Sequence, residues 1–209
     1  MGVAAEVPAA GLGYAEAMAL RAVIPWVLVL LRPALAAAFV VGLATGTLAD
    51  RFVLVACVAA FWADYFDGAL ARRWNTVTPG LRKADSFADT AFYLTLAAVT
   101  WRLHRDELGA HATALTLCLG SLGAWIVLDA VRWRQFAGFH AWSAKLFGVG
   151  LFVWTVLLYG GATTGPTLAI VCALGCLSHV EGIAISLALT RYHADVPTLW
   201  HALRMRPTP

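Results

Sequence analysis

Asp64, Asp67, Asp85 and Asp89 fall within 26 residues of a 209-residue chain that has only 12 acidic side chains. On a helix over residues 64–72, Asp64, Asp67, Gly68, Ala71 and Arg72 follow the i, i+3, i+4, i+7, i+8 pattern and share a face. Asp85 and Asp89, at i and i+4, do the same on the next helix. Between them Asn75 to Gly80 carries Thr-Val-Thr-Pro-Gly, enough breakers to reverse the chain. The spacing therefore predicts an antiparallel helix pair across which four carboxylates face one another. Like charges held that close in a poorly hydrated place repel, and a bound cation removes the repulsion. The candidate ligands are all hard oxygens, with no His or Cys at matching spacing, a set that suits Mg²⁺, Mn²⁺ or Ca²⁺ rather than Zn²⁺. Gly68 and Ala71 leave room for a flat or bulky group to approach that face, and Arg72 at its end suits phosphate. The plainer alternative pairs the aspartates with Arg72, Arg73, Arg82 and Lys83 at a solvated helix end. Acids placed inside a membrane argue against it.

The elements that must position these residues are membrane helices. The chain is 61% hydrophobic and 13% charged, where a soluble domain is about 25% charged. Apolar spans run over Ala22 to Leu43, Phe52 to Ala71, Phe87 to Trp101, Ala112 to Val131, Trp142 to Tyr159 and Pro166 to Leu189. Most approach the roughly 20 residues a helix needs to cross a bilayer. The expected fold is all-α and polytopic, with six transmembrane helices in one domain over residues 1–209. The third span must include Asp85 and Asp89 in its first turns, just inside the membrane boundary. Gly13 to Arg21 reads as a short amphipathic segment on the membrane surface. The first 20 residues hold Glu6 and Glu16 but no Lys or Arg, unlike a signal peptide, and Glu6 stands where a myristoylation site needs Ser or Thr. No nucleic-acid partner is expected.

Basic residues set the orientation. Arg21, Arg32, Arg72, Arg73, Arg82, Lys83, Arg132, Arg134, Lys145, Arg191, Arg204 and Arg206 fall on or near one side, against Arg51, Arg102 and Arg105 on the other. That bias puts both termini and the aspartates on the cytoplasmic side of the cell membrane. Trp26, Trp74, Trp133, Trp142 and Trp200 lie near the same ends, either as an interfacial belt or as packing residues. Cys57, Cys118, Cys172 and Cys176 all lie in apolar spans, so no disulfide framework is indicated.

Several polar residues need a reason. Arg32, about ten residues into the first span, is too deep to be an ordinary snorkelling arginine and requires an anionic partner, the aspartates or a bound phosphate. Arg132, Arg134, His140 and Lys145 cluster at the ends of spans four and five. They are explained either as cytoplasmic-side charge or as contacts to a phosphate on a second substrate, and Asp129 is placed to pair with one of them. Glu181, deep in span six, must point into the bundle. It either pairs with His179 or Arg32 or contacts a hydroxyl or amine of a substrate.

The central stretch resembles the signature of the CDP-alcohol phosphotransferases, Asp-x2-Asp-Gly-x2-Ala-Arg-x8-Gly-x3-Asp-x3-Asp. Seven of its eight fixed positions match, and Leu81 stands where the family has Gly. Pro25, Leu28 and Arg32 also match the family's first-helix run, while Trp26 and Val29 replace its Asn and Thr. The resemblance implies an enzyme of phospholipid synthesis holding one or two Mg²⁺ or Mn²⁺ ions on Asp64, Asp67, Asp85 and Asp89. It makes Asp89 the general base, and Gly68, Ala71 and Arg72 the contacts to the nucleotide. The implied donor is CDP-diacylglycerol, the leaving group CMP and the acceptor a small polar alcohol. Arg132, Arg134, Lys145 and Glu181 are the candidate acceptor contacts, and a homodimer is expected. Two alternatives stand beside this reading: a CDP-amino-alcohol donor with diacylglycerol as acceptor, and a transporter whose acids line a cation pathway. A pathway needs polar residues through the whole depth, and here they gather in the cytoplasmic half.

Cysteine-accessibility labelling should find residues 191–209 on the cytoplasmic side of the membrane. Labelling of that segment from outside the cell would refute the orientation.

Overall fold

The computed structural model describes residues 11–134, 139, 141–162, 164–193 and 195–205; Glu6, His140 and Arg206, named above, lie outside them. The described residues form helices and connecting segments with no strand. The chain forms two compact units, with the boundary between Arg102 and Leu103.

The first unit holds α1 (Gly11–Thr45), α2 (Asp50–Arg73) and α3 (Pro79–Leu103). At 1.5 Å per residue, the 35 residues of α1 span roughly 52 Å, more than the hydrocarbon core of about 30 Å. The segment expected to lie separately on the surface, Gly13 to Arg21, is instead the first part of α1. The helix stops at Gly46, whose φ of +69° lets Thr47 N–H reach back to the Gly42 carbonyl at 2.9 Å. A seam of small residues on α2, Ala56, Ala60, Ala63 and Ala71, is buried with Val53 and Asp67. Side chains this small let helices approach closely where there is no water to drive association. Phe39 of α1 joins the three helices, touching Phe52 of α2 at 6.0 Å and Phe92 of α3 at 5.7 Å between ring centres. On the outward side α2 presents Trp62, Tyr65 and Phe66, a face suited to lipid.

The second unit holds α4 (Arg105–Ala110), α5 (Ala112–Trp133), α6 (Trp142–Tyr159), α7 (Gly165–Ala188) and α8 (Leu199–Arg204). α7 packs against α5, α6 and α8, and carries buried residues along most of its length. At its C-terminal end Phe139, Ala141, Ile185, Ala188, Leu189, Val196 and Ala202 form a core. Trp133 Nε1 donates to Ser186 Oγ at 2.7 Å and Trp142 N–H to the Pro197 carbonyl at 3.1 Å, tying α5, α6 and the chain before α8 to this end. Trp133 is thus a packing residue, whereas Trp142 and Trp200 are exposed beneath Lys145 and Arg204, 4.4 Å and 4.9 Å from their ring centres. All four cysteines are free thiols.

Among the described residues five helices, α1, α2, α5, α6 and α7, are long and apolar enough to cross a membrane. The remaining expected span, the third, lies in α3, which has 25 residues and so the length. Its polarity comes from Arg82, Lys83, Asp85, Asp89 and Arg102, and its first eight residues precede the apolar run that begins at Phe87. The short helices α4 and α8 carry no long periodic pattern that would announce them.

Gly182 of α7 faces the Trp125 ring so closely that an added Cβ would stand 2.5 Å from it. Overfilling a packed site costs about 1–3 kcal/mol. Gly182→Ala should therefore lower the thermal unfolding midpoint in detergent, and an unchanged midpoint would show that Trp125 has room to move.

Candidate active site

The turn between α2 and α3 follows from its residues. Asn75 adopts a left-handed φ of +54°, Asn75 N–H donates to the Arg72 carbonyl at 3.3 Å and Thr76 N–H to the Ala71 carbonyl at 2.9 Å, which terminates α2. This is the αL helix ending in which Asn substitutes for Gly. Thr78 then opens α3, its Oγ1 accepting the Leu81 N–H at 3.1 Å, with Pro79 in the first helical position where its missing donor does no harm. The reversal expected from Asn75 to Gly80 brings the two aspartate pairs together.

All four carboxylates converge on one cation of the protein itself. The Arg32 guanidinium donates through Nη1 to Asp64 at 3.2 Å and to Asp89, and through Nη2 to Asp85 at 2.7 Å and to Asp67. Its side chain is 1% exposed and that of Asp67 5%, whereas Asp64, Asp85 and Asp89 are 47%, 35% and 34% exposed. The cluster is thus closed on the side of α1 and open on the other. A single positive charge faces four carboxyl groups, more than one guanidinium can balance, an arrangement that favours a further cation. Arg32 is the member of the site that the aspartate spacing could not supply. Its signal in the sequence was a charge deep in an apolar span, and of its two expected partners the structure shows the aspartates.

The donor set fits a hard divalent ion. One carboxylate oxygen from each of Asp64, Asp67 and Asp85 lies within 4.8 Å of the others. Two oxygens bound to one ion at 2.0–2.6 Å can be no more than about 5 Å apart, so the three match one ion with little rearrangement. Asp89 joins them through Arg32.

The face read as nucleotide-binding is present, with a difference. Ala71 is buried against Val29, Leu81 and Ala88, and Gly68 is half-buried. Arg72 folds back over Gly68, so that a Cβ there would lie 3.1 Å from its Nη1. The exposed guanidinium covers the surface left open by the glycine and must swing aside or share it when another group lies there. Leu81, in place of the signature glycine, is helical with no positive φ and buried in the same core as Val29 and Ala71. Gly80 also keeps an ordinary helical backbone. Neither position needs the conformational freedom of glycine here, and Leu81 is accommodated by packing.

The remaining candidates belong to the second unit. Glu181, expected to pair with His179 or Arg32 or to face a substrate, accepts from Ser143 Oγ at 2.5 Å and from the Leu199 N–H at 3.1 Å, so it fastens α6 and α8 to α7. His179 is buried, with Nδ1 2.9 Å from Ser121 Oγ. Arg132 donates to the Leu189 carbonyl at 2.9 Å and lies over Trp133. Arg134 is exposed in a left-handed C-cap at the end of α5. Lys145 is exposed over Trp142, and Asp129 is buried near the end of α5.

A helical membrane scaffold that gathers an acidic quartet at the junction of its second and third helices is a site suited to a cation held by carboxylates. The family model for CDP-alcohol phosphatidyltransferase matches residues 22–192, and the chain belongs to that family. Over 58 residues, 27% of this chain and 27% of the relative, it is 40% identical to a CMP-forming cardiolipin synthase of Streptomyces coelicolor. The matched stretch thus spans about a quarter of that protein's length. No solved structure matches the chain.

Leu81→Gly would restore the family residue, yet it removes a buried side chain from this core at a cost of about 3 kcal/mol. The variant should unfold at a lower temperature in detergent. An unfolding midpoint equal to that of the parent would show that Leu81 contributes nothing to the α1–α2–α3 packing.

Proposed function

We propose that the protein transfers a phosphatidyl group from CDP-diacylglycerol to the hydroxyl of a small polar alcohol, releasing CMP, with its site opening to the cytoplasm at the cell membrane. The observation that carries the reading is the convergence of Asp64, Asp67, Asp85 and Asp89 within the family's own signature. The family match runs across the boundary between the two units, which supports one catalytic domain made of both.

In this reading Asp64, Asp67 and Asp85, with Asp89 beside them, hold Mg²⁺ or Mn²⁺, one ion or two. The bound ions would neutralise the diphosphate of the donor and the charge that develops on the departing CMP. Gly68 and Ala71 leave space for the nucleotide, and Arg72, exposed over Gly68, takes its phosphate. Asp89 accepts the proton of the acceptor hydroxyl, whose oxygen attacks the phosphorus bearing the lipid alcohol while the bond to CMP breaks. The partial exposure of the Asp89 carboxylate supports that role, because a base must be reachable by the group it deprotonates.

For the acceptor, Arg134 and Lys145 are the stronger members of the basic set, since Arg132 already serves the end of α7 and Glu181 anchors α8. A phosphorylated alcohol suits these two basic side chains. The relative named above supports a second form of acceptor, the headgroup hydroxyl of an anionic phospholipid, since its name specifies cardiolipin synthesis with release of CMP. A homodimer forms part of the proposal on family grounds alone.

Purified protein given CDP-diacylglycerol, Mn²⁺ and a panel of acceptors, including glycerol 3-phosphate, inositol phosphate, serine and phosphatidylglycerol, should release CMP with one of them. Undiminished release in excess chelator would remove the metal from the mechanism. Asp89→Asn should lower turnover by about 100-fold or more, the usual contribution of general-base catalysis, while Mn²⁺ and CDP still bind. Asp67→Asn should lose binding and rate together. Near-normal turnover in Asp89→Asn would end its assignment as base.

A further inference from the structure

Arg32 is a long, permanently charged side chain at the centre of a group of acids suited to a divalent ion. Its two terminal nitrogens serve all four carboxylates, while its buried Nε has no hydrogen-bond partner among the described residues. An arginine built in only to join helices would be expected to satisfy its whole fork, because a buried donor left unpaired is costly. Here the guanidinium gives up that bond and sits where the carboxylate oxygens converge. The three carboxylates that could share one ion, those of Asp64, Asp67 and Asp85, each also accept from this guanidinium. Two cations cannot occupy one position, and the side chain, unlike an ion, cannot diffuse away.

We infer that Arg32 is a built-in counter-ion that competes with the divalent cation for the aspartate quartet, holding the carboxylates together without the metal and yielding its place when the metal binds. The inference rests on the reading of the aspartates as a metal site. It explains how four acids are kept on two adjacent helices without a permanent ion: the arginine offsets part of their repulsion while α1, α2 and α3 pack. It also sets the metal affinity, since each ion that binds must displace a charge already paired four ways. An arginine suits this task better than a lysine, because a planar fork reaches four oxygens where an ammonium has three donors.

The test is Mn²⁺ binding to the full chain in detergent, followed by the paramagnetic resonance signal of free Mn²⁺ and by calorimetry, with no donor or acceptor present. Arg32→Gln should bind Mn²⁺ on the order of tenfold or more tightly than the parent, since a unit charge beside the ion is removed. Adding Mn²⁺ should also raise its unfolding temperature by more than it raises that of the parent. Equal or weaker affinity in Arg32→Gln would overturn the inference while leaving the metal reading intact. No Mn²⁺ binding by either protein would overturn both. Asp67→Asn, expected to lose Mn²⁺ binding, ties the titrated site to the quartet, and unchanged binding in that variant would overturn both as well. If Arg32→Gln fails to fold even when prepared in Mn²⁺, the inference fails, because the ion should replace the missing charge.

A second measurement separates occupancy from a mere change of field. In protein labelled with ¹⁵N-arginine, the Arg32 Nη signals, assigned by their loss in Arg32→Gln, should be distinct and slowly exchanging in chelator. Saturating Mg²⁺ should merge or broaden them as the guanidinium is released. Signals unaffected by Mg²⁺ would show that Arg32 stays in place, and would overturn the competition.

Discussion

Four acids that repel one another and one arginine that attracts them all set the architecture of the first three helices. Asp64 and Asp67 come from α2, Asp85 and Asp89 from α3, and Arg32 from α1, so the charge cluster cross-links every helix of the first unit. Each partner without the others is costly. Arg32 buried alone in an apolar span, or the aspartates held together with no cation, would pay a desolvation or repulsion penalty of several kcal/mol. The small-residue seam of α2 and the contacts of Phe39 with Phe52 and Phe92 supply the dispersion that holds the helices close enough for the charges to meet.

The same arrangement explains how a site for a charged headgroup can exist beside lipid. The Arg32 side of the cluster is sealed by helix packing, while Asp64, Asp85 and Asp89 stay partly open at the end where the chain turns from α2 to α3. That turn is short and strongly specified, by Asn75 in the left-handed region and Thr78 capping α3. The exposed Arg72 side chain lies over Gly68 at the rim of this turn. In the proposed reading, this acidic floor and the basic side chain at its rim supply the charges that a metal-bound diphosphate would meet.

The second unit illustrates why polar residues in apolar spans cannot be assigned to substrates on their depth alone. Glu181 has the depth and isolation of a functional acid, yet it accepts from Ser143 and from the first N–H of α8. Arg132 has the charge of a phosphate contact, yet it closes the end of α7 by donating to Leu189. Helix ends leave backbone groups without an intrahelical partner, and where packing buries them side chains such as these are recruited to satisfy them.

Much of the site was legible in the sequence because it depends on local periodicity. Asp64, Asp67, Gly68, Ala71 and Arg72 share a helix face by spacing, Asp85 and Asp89 share another, and the breakers at Asn75 to Gly80 turn one toward the other. The apolar runs gave the long helices for the same reason, since about 20 residues of uninterrupted hydrocarbon side chains have few other uses. Even Arg32 announced that it needed an anion. Its choice among anions depended on the rotation and approach of α1 against α2 and α3, which no spacing within one helix encodes. The tertiary structure alone decided that Leu81 replaces the signature glycine by packing against Val29 and Ala71, and that Glu181 serves α8. Those outcomes rest on contacts between residues far apart in the chain, where shape and proximity, rather than residue type, select the partner.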